Sequence, residues 1–227
     1  MIKKVKLPFT IPHVFLRYYR YDFTKKQIEF FNRYLTFKEK ENVKFKGKCF
    51  DRKAEYTLSR ILVKKLYYDL YKDDGIAILN DYNNCPKLYD KFQKQLQLNV
   101  GIAHDSKDIL VGISSDCFGI DCQKTIHFDN NQIGYYFSKD EIGYALLSNS
   151  VYRTLTLIWG IKESYIKYRQ NKSFGYMKNI NVRIKKACEN ILWVLINNCI
   201  FIVHYYFWQI VKFKLNILVD RKTHKGL

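Results

Sequence analysis

Apolar residues recur at the three- and four-residue spacing of a helix over residues 54–71, where Leu58, Ile61, Leu62, Lys65 and Leu66 fall on one side. Residues 27–34 show the same period in a shorter stretch. In the second half of the chain the clearest helix covers 151–168. Leu155, Ile158, Ile161 or Lys162, and Tyr165 form one stripe there, with Trp159, Glu163 and Lys167 on the neighbouring stripe. Gly160 weakens that helix by up to ~1 kcal/mol relative to Ala, and close approach of another backbone would explain its presence.

Between the helices the period changes. Residues 96–103, 108–114 and 117–122 are short, apolar-rich runs separated by turn formers such as Asp105-Ser106-Lys107 and Ser115-Asp116. Paired as an antiparallel meander, the first and third runs point the same way and bring His104 and Asp121 to one edge of a sheet. Residues 191–203 read as buried strands, and Phe213, Leu215, Ile217 and Val219 alternate with neighbours as in a strand. Both halves are therefore expected to be α+β.

A faint echo links the halves at an offset of 100 residues. Phe37-Lys38-Glu39-Lys40-Glu41 faces Phe137-Ser138-Lys139-Asp140-Glu141, and residues 56–66 face 155–165. The expected division is a lobe over 1–116 and a second over 117–227, with the join near 114–120 and no Pro/Gly-rich linker.

The 227 residues are enough to bury a real core, and 17% aromatic content excludes a disordered chain. Six scattered cysteines form no C-x-x-C pair, and Met1-Ile2-Lys3-Lys4 leads into no long apolar run, so a reducing cytoplasm is the simplest compartment. The stretch 191–203 is interrupted by Asn197 and Asn198 and falls short of the roughly 20 residues of a membrane helix. A net charge of +18 calls for an acidic partner, whether nucleic acid, anionic lipid or protein. Abundant Lys, Asn, Ile, Tyr and Phe account for part of that charge by composition alone. The stripe Lys44-Phe45-Lys46-Gly47-Lys48 could grip phosphates, although most such runs are solvated faces.

Two phrases carry candidate chemistry. Gly119-Ile120-Asp121 puts a carboxylate at the end of a strand-like run. Trp159-Gly160-Ile161-Lys162-Glu163-Ser164-Tyr165-Ile166-Lys167 sets a carboxylate between two lysines on a helix, with 163 and 167 on a shared face. Hard oxygen ligands beside ammonium groups suit a divalent cation and a polyphosphate. Taken singly, Asp121 could end a strand, Glu163 and Lys167 could be an i,i+4 pair worth ~0.3–0.5 kcal/mol, and His104 could be a bonded loop histidine.

In order and spacing, Ile102-Ala103-His104-Asp105, Phe118 to Lys124, Tyr136 to Glu141 and Trp159 to Lys167 together resemble the 4′-phosphopantetheinyl transferases, in particular the long type that activates surfactin synthetase. The resemblance runs most clearly over 86–167. It implies two similar α+β lobes with pseudo-two-fold symmetry and the site between them. The implied activity transfers the phosphopantetheine arm of coenzyme A to a serine of an acyl or peptidyl carrier protein, releasing 3′,5′-ADP, with Mg²⁺ as cofactor. The first lobe would contact coenzyme and carrier, and the second would carry the metal site and catalytic helix. Asp121 and Glu163 would hold the metal. His104 and Lys162 would touch coenzyme phosphates, Glu163 would help deprotonate the serine, and Lys167 would assist the departing diphosphate. The long relatives are usually single chains.

The chain departs from the family pattern in several places. Gln123 stands where many relatives carry an acid, and its amide oxygen can meet a cation or its water without adding charge. Asn84-Cys85-Pro86-Lys87 replaces the usual Gly-Lys-Pro, leaving Lys87 as the candidate coenzyme contact, and Ala103-His104-Asp105 replaces Ser-His-Ser. Lys40, Lys44 and Arg52 occupy the basic region where relatives hold the 3′-phosphate. The alternatives are a pseudoenzyme of the same fold and a basic nucleic-acid-binding protein with base-stacking aromatics; for the latter there is no zinc-finger spacing, no RNP-like phrase and no glycine-rich phosphate loop. The sequence does not distinguish carriers of fatty-acid, polyketide or peptide synthesis.

Overall fold

A computed structural model describes residues 2–5, 13–44, 49–170, 174–188, 191–196, 199–208 and 213–220. The protein is mixed α+β and divides into two compact units, Met1–Asp116 and Cys117–Leu227.

The first unit opens with β1 (Ile2–Val5) and β2 (Val14–Tyr21), followed by α1 (Lys25–Phe31), a 3₁₀ turn (Asn32–Tyr34), α2 (Phe37–Lys44) and α3 (Phe50–Tyr71). Then come β3 (Ala77–Asn80), β4 (Pro86–Tyr89), β5 (Gln95–Asp105) and β6 (Asp108–Ser114). The strands form one antiparallel sheet in the order β1-β2-β6-β5-β4-β3. The apolar side of α3, with Leu58, Leu62 and Leu66, is buried with Tyr19, Ile78, Leu88, Ile109, Val111 and Ile113 of the sheet. Asp108 is buried as well, accepting from Tyr18 Oη and from Arg20 Nε (2.9 Å) and Nη2 (3.0 Å).

The second unit runs β7 (Phe118–Lys124), α4 (Asn130–Tyr136), α5 (Lys139–Leu146), α6 (Val151–Arg169), a 3₁₀ stretch (Phe174–Asn179), β8 (Val182–Cys188), β9 (Ile191–Ile196), β10 (Cys199–Trp208) and β11 (Phe213–Asp220). Its antiparallel sheet has the order β7-β11-β10-β9-β8. Leu155, Ile158 and Ile161 of α6 are buried with Val194, Ile196, Phe201 and Val203, and Trp159 packs on Phe128 and Tyr136. The strands and helices read from the hydrophobic pattern are present, with ends displaced by a few residues.

Of the meander considered over 96–122, the first two strands pair as β5 and β6, and the third does not join them. β6 already has β2 on one side and β5 on the other, so the next strand finds no open edge there. β7 instead begins the second sheet and pairs with β11, Asp121 opposite Asn216. Leaving aside β1, which adds an extra edge strand beside β2 in the first unit, both units share one chain order: a strand, three α-helices, then four strands in a meander whose last member pairs with the strand before the helices.

A buried carboxylate repeats along with that order. In the first unit Thr36 and Glu39 cap the start of α2 reciprocally, Thr36 N donating to Glu39 Oε2 (2.7 Å) and Glu39 N to Thr36 Oγ1 (3.4 Å). The fully buried carboxylate also accepts from Lys64 Nζ (2.7 Å) and from Ile78 N on the edge strand β3 (2.9 Å). Lys64 donates further to Tyr34 O (3.0 Å). In the second unit Ser138 and Glu141 cap α5, and Glu141 accepts from Lys162 Nζ (2.7 Å) and from Val182 N on the edge strand β8 (2.8 Å). Lys162 donates further to Tyr136 O (2.9 Å). Each glutamate thus seals a sheet edge, binds a helix start and neutralises a lysine of the long helix. The echo exists, but in a different register from that read in the sequence: Glu39 matches Glu141 and Lys64 matches Lys162.

No helix among the described residues is long and apolar enough to cross a membrane. Cys49, Cys85, Cys117, Cys122 and Cys199 are free thiols.

Candidate functional site

In β7 the side chains of Gly119, Asp121 and Gln123 share one face, because successive residues of a strand alternate. That face meets α6 at very short range: a Cβ built on Gly119 would lie 1.9 Å from Ser164 O and 2.9 Å from Tyr168 N. Only a residue without a side chain permits this approach. Glycine at 119 therefore sets the depth at which α6 lies on the strand, two residues from Asp121.

Asp121 is 5% exposed. Its Oδ1 accepts from Lys167 Nζ at 2.8 Å, while Oδ2 is buried with no hydrogen-bond partner among the described residues. An ionised oxygen in that state is costly unless a cation or donor meets it. Glu163 lies one turn before Lys167 on α6. Burial, with the Asp121 charge adding to it and Lys167 opposing, pushes the Glu163 carboxyl up to about 7. Burial also works against the Lys167 ammonium, but the carboxylates of Asp121 and Glu163 more than offset this and hold its pKa above the ordinary value. Two carboxylates and one ammonium thus interact where α6 meets β7, with one Asp121 oxygen lacking a partner among the described residues.

That donor set fits Mg²⁺. The ion takes one or two protein carboxylates, keeps waters and completes its shell with substrate phosphates, so a dedicated cage is not required. Among the described residues no group of three or more His, Cys, Asp or Glu side chains gathers, and the candidate site offers two acids. Gln123, half-buried on the same strand face, can add a neutral oxygen.

The remaining sequence candidates fall in three places. Lys162 does not belong to the phosphate-facing set. Its side chain is 0% exposed, and Glu141, Tyr136 O and Met177 O (3.0 Å) take all three of its donors. Residues 162 and 163 are about 100° apart around a helix, so the two side chains leave in different directions. His104, Lys40, Lys44, Arg52 and Lys87 belong to the first unit. His104, at the end of β5, is exposed, with Nδ1 3.4 Å from Glu55 Oε2. Lys40 and Arg52 are exposed on α2 and α3, Lys44 is paired with Glu41 (2.7 Å), and Lys87 lies 3.8 Å from Asp81. Of the basic stripe 44–48, residues 45–48 lie outside the described residues.

Two site-building features escaped the sequence reading: the packing role of Gly119 and the Glu141–Lys162 pair. The signal for the second was the capping-box spacing of Ser138 and Glu141, matched by Thr36 and Glu39. No known family model matches the chain, and no curated protein matches it.

Proposed function

We propose that this protein is a 4′-phosphopantetheinyl transferase, a cytoplasmic, monomeric enzyme that moves the phosphopantetheine arm of coenzyme A onto a serine of an acidic acyl or peptidyl carrier protein. The observation that carries the proposal is the Asp121–Lys167–Glu163 cluster, with a buried Asp121 oxygen lacking a partner among the described residues and a glutamate whose charged form is disfavoured. A buried acid whose charged form its surroundings resist marks a candidate acid–base site. The ordered motifs from Ile102 to Lys167 supply the chemical class. The repeated chain order and repeated glutamate–lysine pair support the two-lobed, pseudo-two-fold architecture of that family.

Asp121 and Glu163 would hold Mg²⁺, with Gln123 contributing an oxygen. The bound ion would neutralise the pyrophosphate of coenzyme A. The serine oxygen forms a bond to the β-phosphorus as the bond from that phosphorus to the bridging oxygen breaks, releasing 3′,5′-ADP. The hydroxyl proton would pass to Glu163, directly or through a water. Lys167, kept protonated by its two acidic neighbours, stabilises charge gathering on the leaving diphosphate. His104, Lys40, Lys44, Arg52 and Lys87 are the candidates for the coenzyme's other phosphates, and the +18 net charge steers an acidic carrier.

The test is incubation of purified protein with coenzyme A, Mg²⁺ and a panel of apo carrier proteins, read by intact mass. A carrier that gains one phosphopantetheine on its serine is the expected result. No gain on any carrier refutes the proposal.

A further inference from the structure

We propose that the buried Glu141–Lys162 pair is a positioning device for the neighbouring carboxylate site: it fixes the rotation of α6 about its own axis so that Glu163 faces Asp121. The inference rests on the reading of Asp121 and Glu163 as the Mg²⁺ ligands.

The geometry is that of a helix pinned on both sides of one residue. At position 162 the ammonium is held by acceptors from three separate elements: Glu141 of α5, Tyr136 O at the end of α4, and Met177 O in the 3₁₀ stretch. At position 164 the backbone carbonyl rests against Gly119 of β7. Glu163 lies between these two pinned residues. Glu141 is itself fixed by Ser138 N (2.8 Å) and Val182 N (2.8 Å), so it cannot follow the lysine if α6 turns. The tip of a helix side chain sits about 5–6 Å from the axis, and a 20° rotation moves it by about 2 Å. A displacement of 1 Å at a reacting group already costs on the order of 100-fold in rate.

The first unit supplies a matched control. Glu39 and Lys64 form the same pair there, but the residue after Lys64 is Lys65, exposed, so the device in that unit adjoins no carboxylate site. A purely structural role predicts equal consequences for both pairs. A positioning role predicts a difference.

The experiment compares full-length Lys162→Met, the double variant Glu141→Gln with Lys162→Met, and Lys64→Met. Mg²⁺ affinity is measured by titration calorimetry, stability by far-ultraviolet circular dichroism in urea, and kcat and KM with coenzyme A and a carrier. Lys64→Met and Lys162→Met are both expected to lose stability. Only Lys162→Met and the double variant should lose Mg²⁺ affinity, by about 10- to 100-fold, as when the group orienting a metal ligand is removed, with kcat falling more than KM rises. If Lys162→Met does not fold, the double variant, which removes both buried charges together, decides the question. Mg²⁺ affinity within twofold of wild type in either Lys162 variant overturns the inference, as does an equal loss in Lys64→Met. Wild-type protein that binds no Mg²⁺ overturns the functional reading instead, and the two failures are thereby distinguished.

Discussion

Replacing Gly119 by alanine tests the foundation of the site, because the added carbon would sit 1.9 Å from Ser164 O, 2.8 Å from Ser164 C and 2.9 Å from Tyr168 N. All three obstacles are backbone, so no side chain can swing aside. Reaching an ordinary contact of about 3.5 Å requires α6 and β7 to part by roughly 1.5 Å. Forced separation of packed elements costs ~1–3 kcal/mol, and a backbone obstacle puts Gly119→Ala at or above the upper figure. The same shift draws α6 away from Asp121. The assay is urea unfolding followed by tryptophan fluorescence, which reports the second unit because Trp159, Trp193 and Trp208 all lie within it. Gly143→Ala is the internal control. A Cβ at that position meets nothing within 4 Å, and in a helix interior alanine is favoured over glycine by ~0.8–1.0 kcal/mol, so this change should stabilise. Opposite signs for the two substitutions are expected. Gly119→Ala within 0.5 kcal/mol of wild type, a bound of about the usual scatter of surface changes, would refute the packing argument.

Other outcomes follow from the same geometry. Asp121→Ala and Glu163→Ala should abolish carrier modification, Glu163→Ala with little loss of stability and Asp121→Ala with a larger loss because Lys167 loses its ion-pair partner, measured by intact mass and urea unfolding side by side. In metal-free protein the raised Glu163 pKa makes the folded state bind a proton that the unfolded chain has already released, so stability should fall as pH rises from about 4.5 to about 7. Glu163→Gln should remove that decline and be the more stable protein at pH 8 by about 2–3 kcal/mol, read by urea midpoints across pH. Lys64→Met leaves the fully buried Glu39 unpaired and should cost ~3–5 kcal/mol, followed by circular dichroism because the first unit has no tryptophan. The second-order rate with an acidic carrier should fall steeply as salt rises, and a flat salt profile would remove charge steering from the account.

Much of this architecture was legible as periodicity. The apolar stripes of α3 and α6 and the alternation in β11 identify elements, since burying one face imposes a fixed spacing on the residues that do it. Pairing was not legible. The run Phe118–Lys124 looks as much a partner for β6 as for β11, and what decides is that β2, almost a hundred residues earlier, already occupies the open edge of β6. A local pattern carries no information about a competitor so far away in the chain.

The site shows the same limit at the level of single side chains. Lys162, Glu163 and Lys167 stand in one short phrase, yet they serve two different carboxylates: Lys162 belongs to Glu141, and Lys167 to Asp121. What separates them is satisfaction rather than burial. Glu141 and Glu39 receive a lysine, a helix-start amide and a strand-edge amide, and burial then raises no outstanding demand. Asp121 receives a lysine on one oxygen and, among the described residues, nothing on the other, while Glu163 is left with a charge that its surroundings resist. A fold that fully satisfies two buried glutamates, using the same device in both units, can satisfy buried acids. The proposed function assigns the open Asp121 oxygen to a bound cation, and on that reading the glutamate–lysine pairs hold the frame around it.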